Sequence, residues 1–158
     1  MGGMNCGQQI FPYIVLKSLY RRTDNVLLMT KGYSKKTTCA YLMNYHFVWC
    51  PLYRKAILTD EIRNRTSELI SHQTESLGGR VLELSIMPDH VHLFVSLVPT
   101  ISPNQFIGKV KGMTSRVLRD EFPFLTKRAS LWTRSYFVST AGNVSSEVIQ
   151  QYIRGQLE

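Results

Sequence analysis

The 158-residue chain has only three cysteines, Cys6, Cys39 and Cys50, and no C-x-x-C spacing among them. An odd, scattered set of this kind excludes a disulfide framework and a zinc knuckle, and it fits a reducing cytoplasm. Long apolar runs are missing too. The early run at residues 10–16 contains Pro12 and is followed by Lys17, Arg21 and Arg22. It falls far short of the about 20 apolar residues that cross a bilayer, so neither a transmembrane helix nor a signal peptide is expected. No G-x-x-x-x-G-K-[ST] loop occurs, which removes nucleotide hydrolysis as the expected energy source. Internal repeats are absent. Acidic residues are scarce, eleven against nineteen Lys and Arg, leaving a net charge of +8.

What is present is enough apolar side chain, 44% of residues, for one globular unit with a core. The excess positive charge suggests a polyanionic partner, and its distribution sharpens that suggestion. Residues 1–40 carry six basic residues and one acidic, and residues 109–134 carry seven and two. The second cluster reads as a nucleic-acid stripe or as a solvated helix face. Residues 1–38 hold no sustained period and read as an N-terminal extension, with Met29 an alternative start. The organised domain is expected over residues 39–158.

Within that domain, residues 41–49 are aromatic and β-branched, with Tyr41, Met43, Tyr45, Phe47 and Trp49 on one face, which predicts a strand ended by Pro51. Thr59 before Asp60 and Glu61 reads as an N-cap, and Ile62, Thr66, Leu69, Ile70, Gln73 and Leu77 recur at helical spacing up to Gly78-Gly79. Residues 80–86 and 90–97 are β-rich runs around Met87-Pro88-Asp89, which predicts a hairpin. Ser102-Pro103-x-Gln105 is a capping box opening a second helix through Phe106, Ile107, Val110, Met113, Val117 and Leu118, which stops before Pro123. A strand at residues 135–140, a turn at 141–143 and a last helix capped by Ser145 or Ser146 and running to about Gln156 complete the chain. The first six elements form the split β-α-β order of an α+β, ferredoxin-like (RRM-like) domain: a four-stranded antiparallel sheet with two helices on one face. The seventh, an extra C-terminal helix, is free to cover the other face.

Two groups of side chains on this frame could carry chemistry. His90-Val91-His92 lies at a strand start, where the two-residue period sends both imidazoles to one face and lets them grip one ion. Asp89 is either an acceptor orienting an imidazole or a plain turn residue. Tyr152 and Gln156 are four apart on the last helix, along a row that includes Val148 and Ile149 and is expected to look inward. If that helix crosses the sheet face displaying His90 and His92, a phenol, an amide oxygen and two imidazoles surround one site. His46 reads as a structural strand histidine, His72 as a helix-surface residue, and Trp49 and Trp132 as core.

Taken together, Tyr45-His46-Phe47-Val48-Trp49-Cys50-Pro51 with Tyr53-Arg54, Met87-Pro88-Asp89-His90-Val91-His92-Leu93, Leu131-Trp132, Ser135-Tyr136-Phe137-Val138 and Tyr152-Ile153-x-x-Gln156 resemble the single-tyrosine HUH transposases of the insertion sequence 200/605 group. The resemblance runs in that family's order from near Ala40 to the end. It implies that His90, His92 and Gln156 hold Mg²⁺ or Mn²⁺ at a scissile phosphate of single-stranded DNA. It further implies that Tyr152 attacks phosphorus to give a 5′-phosphotyrosine and a free 3′-hydroxyl. Joining without ATP agrees with the missing phosphate loop. The resemblance also implies recognition of hairpins near the element ends, with Arg54, Lys55, Lys109, Lys111, Arg116 and Arg119 as candidate DNA contacts. Finally, it implies a homodimer in which the tyrosine helix of one subunit can complete the histidine pair of the other, working in the cytoplasm with no membrane and no nucleotide cofactor. A non-catalytic single-strand-binding module and a domesticated relative that processes genomic hairpin repeats are the competing readings.

Overall fold

The computed structural model describes residues 34–36, 39–127 and 129–155. The chain divides into two units, residues 1–40 and 41–158. β1 (Ser34–Lys36) pairs with β2 (Cys39–Tyr41). Met29, as a possible start, lies outside the described residues. The second unit runs β3 (Asn44–Trp49), α1 (Asp60–Ser76), β4 (Arg80–Met87), β5 (His90–Ser96), α2 (Pro103–Glu121), β6 (Phe137–Ala141) and α3 (Asn143–Arg154). Its four strands form one sheet in the order β4-β5-β3-β6, with every neighbouring pair antiparallel. That order, with both pairs of strands separated by a helix, is the ferredoxin-like arrangement.

Alternation along the two inner strands sorts the side chains into two cores. Phe47 and Trp49 of β3 and Val91, Leu93 and Val95 of β5 pack under α1 and α2, against Ile62, Leu69, Ile70, Phe106, Ile107, Val110 and Leu118. Phe47 meets Phe106 with ring centroids 5.4 Å apart. Burying each such side chain stabilises the fold by about 1.5–3 kcal/mol, which makes this layer the main source of cohesion. Trp49 and Trp132 are both core, edge to face at 6.1 Å, and Trp132 Nε1 donates to the buried Thr114 Oγ1 at 3.0 Å. On the other face a smaller core joins Phe94, Ala141 and Ile153, with Leu82 and Ile149 beside them.

The helix starts and strand ends follow local chemistry. In α2, Ser102 Oγ accepts from Gln105 N–H while Gln105 Oε1 accepts from Ser102 N–H, both at 3.3 Å, so the capping box forms as expected. Thr59 occupies the N-cap position of α1 but makes no capping hydrogen bond through its side chain. Three expectations are corrected. The expected strand over residues 41–49 is broken: pairing with β5 ends at Asn44 opposite Ser96, and the Met43 carbonyl instead accepts from Leu97 N–H at 2.9 Å. β6 starts at Phe137 rather than 135, because Lys111 Nζ takes the carbonyls of Arg134 and Ser135 at 3.2 and 3.1 Å. The last helix starts at Asn143 with Gly142 as N-cap, and Ser146 Oγ donates back to the Gly142 carbonyl at 2.7 Å instead of capping. Among the described residues no helix is long and apolar enough to cross a membrane.

Candidate active site

Because Val91 and Leu93 point into the helix-covered core, His90, His92 and Phe94 share the opposite face of β5. The turn before them is two residues long, Met87 pairing directly with His90 across Pro88 and Asp89. The rings of His90 and His92 stand 5.0 Å apart, centroid to centroid, at nearly right angles. His90 Nδ1 lies 2.6 Å from Asp89 Oδ1. A carboxylate only accepts, so His90 donates from Nδ1, and in the metal-binding form of the ring Nε2 is the nitrogen left to face a ligand. Asp89 is thus an orienting acceptor, the first of the two readings its position allowed.

The same carboxylate faces a cation. Asp89 Oδ2 accepts from Arg54 Nη2 at 2.8 Å and from Arg54 Nε at 3.1 Å. Hydrogen bonds from His90 and then Arg54 hold the Asp89 carboxyl below its ordinary value, so it remains ionised. Arg54 reaches Asp89 from a short turn, Leu52–Arg54, in which both Tyr53 (φ 61°) and Arg54 (φ 50°) lie in the left-handed region that side chains other than glycine rarely adopt. Such backbone is retained where surrounding structure enforces it, and here it aims a guanidinium at the site.

His46, on the neighbouring strand, joins the pair: its Nε2 lies 3.0 Å from His92 Nδ1. In the sequence it reads as a structural strand histidine, because alternation puts it on the correct face but only the register, His46 opposite Phe94 and Val48 opposite His92, makes it the diagonal neighbour of His92. Burial, reinforced by the charges of His46 and His90, lowers the His92 pKa from 6.5 to about 4, and burial lowers that of His46 as well. Both imidazoles are neutral near pH 7, the form in which imidazole binds metals.

α3 lies over this face. Its fully buried Ile153 packs on Phe94, Ala141 and Leu82. Asn44 Nδ2 donates to Ser146 Oγ at 3.2 Å, and Arg154 Nε donates to Glu83 Oε2 at 2.8 Å. Glu83 is available because β4 bulges between Val81 and Glu83, which turns Leu82 toward the same face. Tyr152 then stands at the rim, 54% exposed, its ring edge-on to His92 with centroids 5.8 Å apart. The inward row of α3 is therefore Ile149–Ile153, and Val148, at 63% exposed, is turned outward together with Tyr152. Rows 148–152 and 149–153 have the same spacing, and the apolar pocket of Phe94, Leu82 and Ala141 selects the second. Gln156 lies outside the described residues.

The cation candidates separate into two places. Arg54 belongs to the histidine side, where it lines a groove of about 490 Å³ with His90, Val48, Cys50, Tyr136 and Phe137, and Lys55 follows it in the chain, exposed. Lys109, Lys111, Arg116 and Arg119 belong to α2, across the sheet. Lys109 and Arg116 are exposed beside Gln73 and Met113, whereas Lys111 is half-buried against Tyr136 and its lowered pKa reflects that burial. Arg119 Nη2 donates to the Thr126 carbonyl at 3.4 Å. His72 is exposed on α1.

Residues 39–156 match the family described as "Transposase IS200 like". The chain belongs to that family. Among curated relatives it is 30% identical over 119 residues to the ISDra2 transposase TnpA of Deinococcus radiodurans, covering 73% of this chain and 85% of that one. It is 32% identical over 117 residues to the transposase for insertion sequence element IS200 of Salmonella typhimurium, covering 72% and 76%. A crystal structure from Deinococcus radiodurans R1 assigned as a transposase superposes with a TM-score of 0.65 at 30% identity, covering 78% of this chain and 97% of that one. A REP-associated tyrosine transposase bound to a REP hairpin shares the fold, with a TM-score of 0.56 at 12% identity over 76% of this chain and 70% of that one. As an IS200-like transposase the chain is a DNA-cutting enzyme of transposition acting on single strands.

Its site offers two imidazole rings, those of His90 and His92, on one face. Among the described residues no group of three or more His, Cys, Asp or Glu side chains is arranged to hold a metal ion. Two imidazoles fit a divalent ion that completes its shell with oxygen donors, such as an amide, water and phosphate, and this donor set suits Mn²⁺ at least as well as Mg²⁺.

Proposed function

We propose that this transposase cuts and rejoins insertion-sequence ends with Tyr152 as nucleophile and His90, His92 and Gln156 as the residues that hold Mg²⁺ or Mn²⁺. The observation that carries the reading is the position of the Tyr152 phenol, on a helix docked over the histidine face and edge-on to His92 at 5.8 Å. The bound ion would supply Lewis-acid polarisation of the scissile phosphate. Asp89 and the strand register orient the imidazoles, and Arg54, its charge shared with Asp89, presents its remaining N–H groups to the DNA backbone. Tyr152 Oη forms a bond to phosphorus as the bond to the 3′-oxygen breaks. The phenol gives up one proton and the leaving oxygen takes one up, so a 5′-phosphotyrosine and a 3′-hydroxyl result. A 3′-hydroxyl from a second strand reverses the step, forming a new phosphodiester and releasing the phenol, with no nucleotide consumed.

Lys55, Lys109, Lys111, Arg116 and Arg119 are assigned to the DNA, hairpin ends included, and the working unit to a homodimer in the cytoplasm. Positive charge on α2 and at the Leu52–Arg54 turn supports the first assignment. Incubating the protein with single-stranded DNA carrying a hairpin and Mn²⁺ should yield a protein–DNA adduct that mass spectrometry maps to Tyr152. The Tyr152→Phe variant should lose the adduct by at least about 1,000-fold while keeping hairpin affinity, since only the hydroxyl is removed. Adduct at wild-type level in that variant moves the nucleophile elsewhere.

A further inference from the structure

We infer that His46 is a positioning residue: its Nε2 accepts a hydrogen bond from His92 Nδ1–H and so holds His92 in the tautomer whose Nε2 is bare. The inference deepens the metal reading above and rests on it for its consequence, though not for the tautomer itself. The two rings are inclined by only 15° and their centroids are 5.3 Å apart, while Nε2 and Nδ1 are separated by 3.0 Å. The centroid separation is close to that N···N distance plus one ring radius at each end. The rings therefore lie edge to edge and nearly coplanar, which is the arrangement of a straight N–H···N hydrogen bond and not of a face-to-face stack.

One proton must lie between these nitrogens, because two facing lone pairs repel and two facing N–H groups clash. A neutral imidazole carries one proton, so the direction of the bond fixes the rest of the ring. If His46 donated, His92 would carry its proton on Nε2, where a ligand needs a lone pair. If His92 donates, Nε2 is free. The neighbouring ligand shows which direction the site is built around: Asp89 Oδ1, 2.6 Å from His90 Nδ1, can only accept, so His90 already presents Nε2. His92 in the matching tautomer gives two like nitrogens on one strand face, with rings 5.0 Å apart. His46 is in place to do this because β3 is an inner strand, because both it and His92 are buried, and because the Phe137 ring edge covers it at 6.3 Å. His90 is thus backed by an anion and His92 by a neutral ring.

The test compares wild type with His46→Gln, whose amide oxygen can accept in place of Nε2, and His46→Phe, which keeps the ring and removes the acceptor. Long-range ¹H–¹⁵N correlation on the metal-free protein reads the His92 tautomer, and calorimetry with Mn²⁺ alone reads affinity. Wild type and His46→Gln should both carry the His92 proton on Nδ1 and bind Mn²⁺ within threefold of each other. His46→Phe should shift the proton toward Nε2 and weaken Mn²⁺ binding by about 10- to 100-fold, the usual cost of losing a partner behind a metal ligand. A wild-type His92 protonated on Nε2, or unchanged Mn²⁺ affinity in His46→Phe, overturns the inference, and the wild-type spectrum decides the tautomer even if that variant does not fold. Wild-type protein that binds no Mn²⁺ overturns the metal reading and leaves the tautomer assignment to the spectrum.

Discussion

A buried histidine that must stay neutral makes the site sensitive to acid. His92 titrates near 4 in the folded chain against an ordinary 6.5, chiefly through burial and secondarily through its neighbours His46 and His90. Between those two values the unfolded chain binds the extra proton and the folded chain does not, so stability rises with pH through the window and is lost as pH falls from 6.5 toward 4. His46 acts in the same direction. Asp89 and Glu121, held low by their partners, contribute only below their ordinary 3.8 and 4.5, which leaves the upper part of the window to the histidines. Melting curves of metal-free protein should therefore show a transition temperature that drops steadily between pH 6.5 and 4.5, with a shallower drop in His92→Phe. A wild-type transition temperature flat across that interval would mean that His92 is as free to charge in the fold as in water.

The docking of α3 is a matter of few contacts. Ile153 is its only fully buried side chain among those described, and the Asn44–Ser146 bond and the Arg154–Glu83 pair are partly or wholly exposed. Exposed pairs of this kind contribute roughly 0–1 kcal/mol, so the apolar contact decides. Removing most of the Ile153 side chain costs about 2–5 kcal/mol at a buried site, enough to undock the helix. Ile153→Ala should thus lower the rate of adduct formation at least tenfold and weaken Mn²⁺ binding by a smaller factor, that of the proposed Gln156 ligand alone, because His90 and His92 stay on β5. Adduct formation and Mn²⁺ affinity falling by the same factor would mean that α3 also holds His90 and His92 in place. The legibility of the elements follows the same logic of contact number. α1 and α2 were readable because long 3.6-residue stripes and a complete capping box all agree, and the hairpin because Pro88-Asp89 leaves the chain one way to turn. The inward row of α3 was not, since two rows of equal spacing compete and only the Leu82 bulge and Phe94 on other strands choose between them. Nor was the partnership of His46 with His92, which exists only once β3 and β5 take their register.

Across the whole molecule, the α2 cations and the Tyr152–His92 site lie on opposite faces of one sheet. A DNA segment bound at α2 and cut beside His90 must pass an edge of that sheet, or be handed between two copies of the chain. A weakly held α3 suits the second route. Mixing equal amounts of Tyr152→Phe and His92→Ala subunits should then restore adduct formation, to about a quarter of the wild-type level, through the one site that combines an intact histidine pair with the tyrosine of its neighbour. Mixed dimers as inactive as either parent would confine each tyrosine to its own subunit. The strand order β4-β5-β3-β6 has one more consequence. His90, His92 and His46 all ride on inner strands, paired with a neighbour on each side, while Tyr152, the proposed nucleophile, rides on α3. Amide exchange should accordingly be slowest in β3 and β5, at the free energy of global unfolding, and faster by orders of magnitude in α3 through local opening. The histidine pair is thereby part of the last structure to melt and Tyr152 part of the first, so the proposed nucleophile is expected to leave and return many times within the lifetime of a single folded sheet.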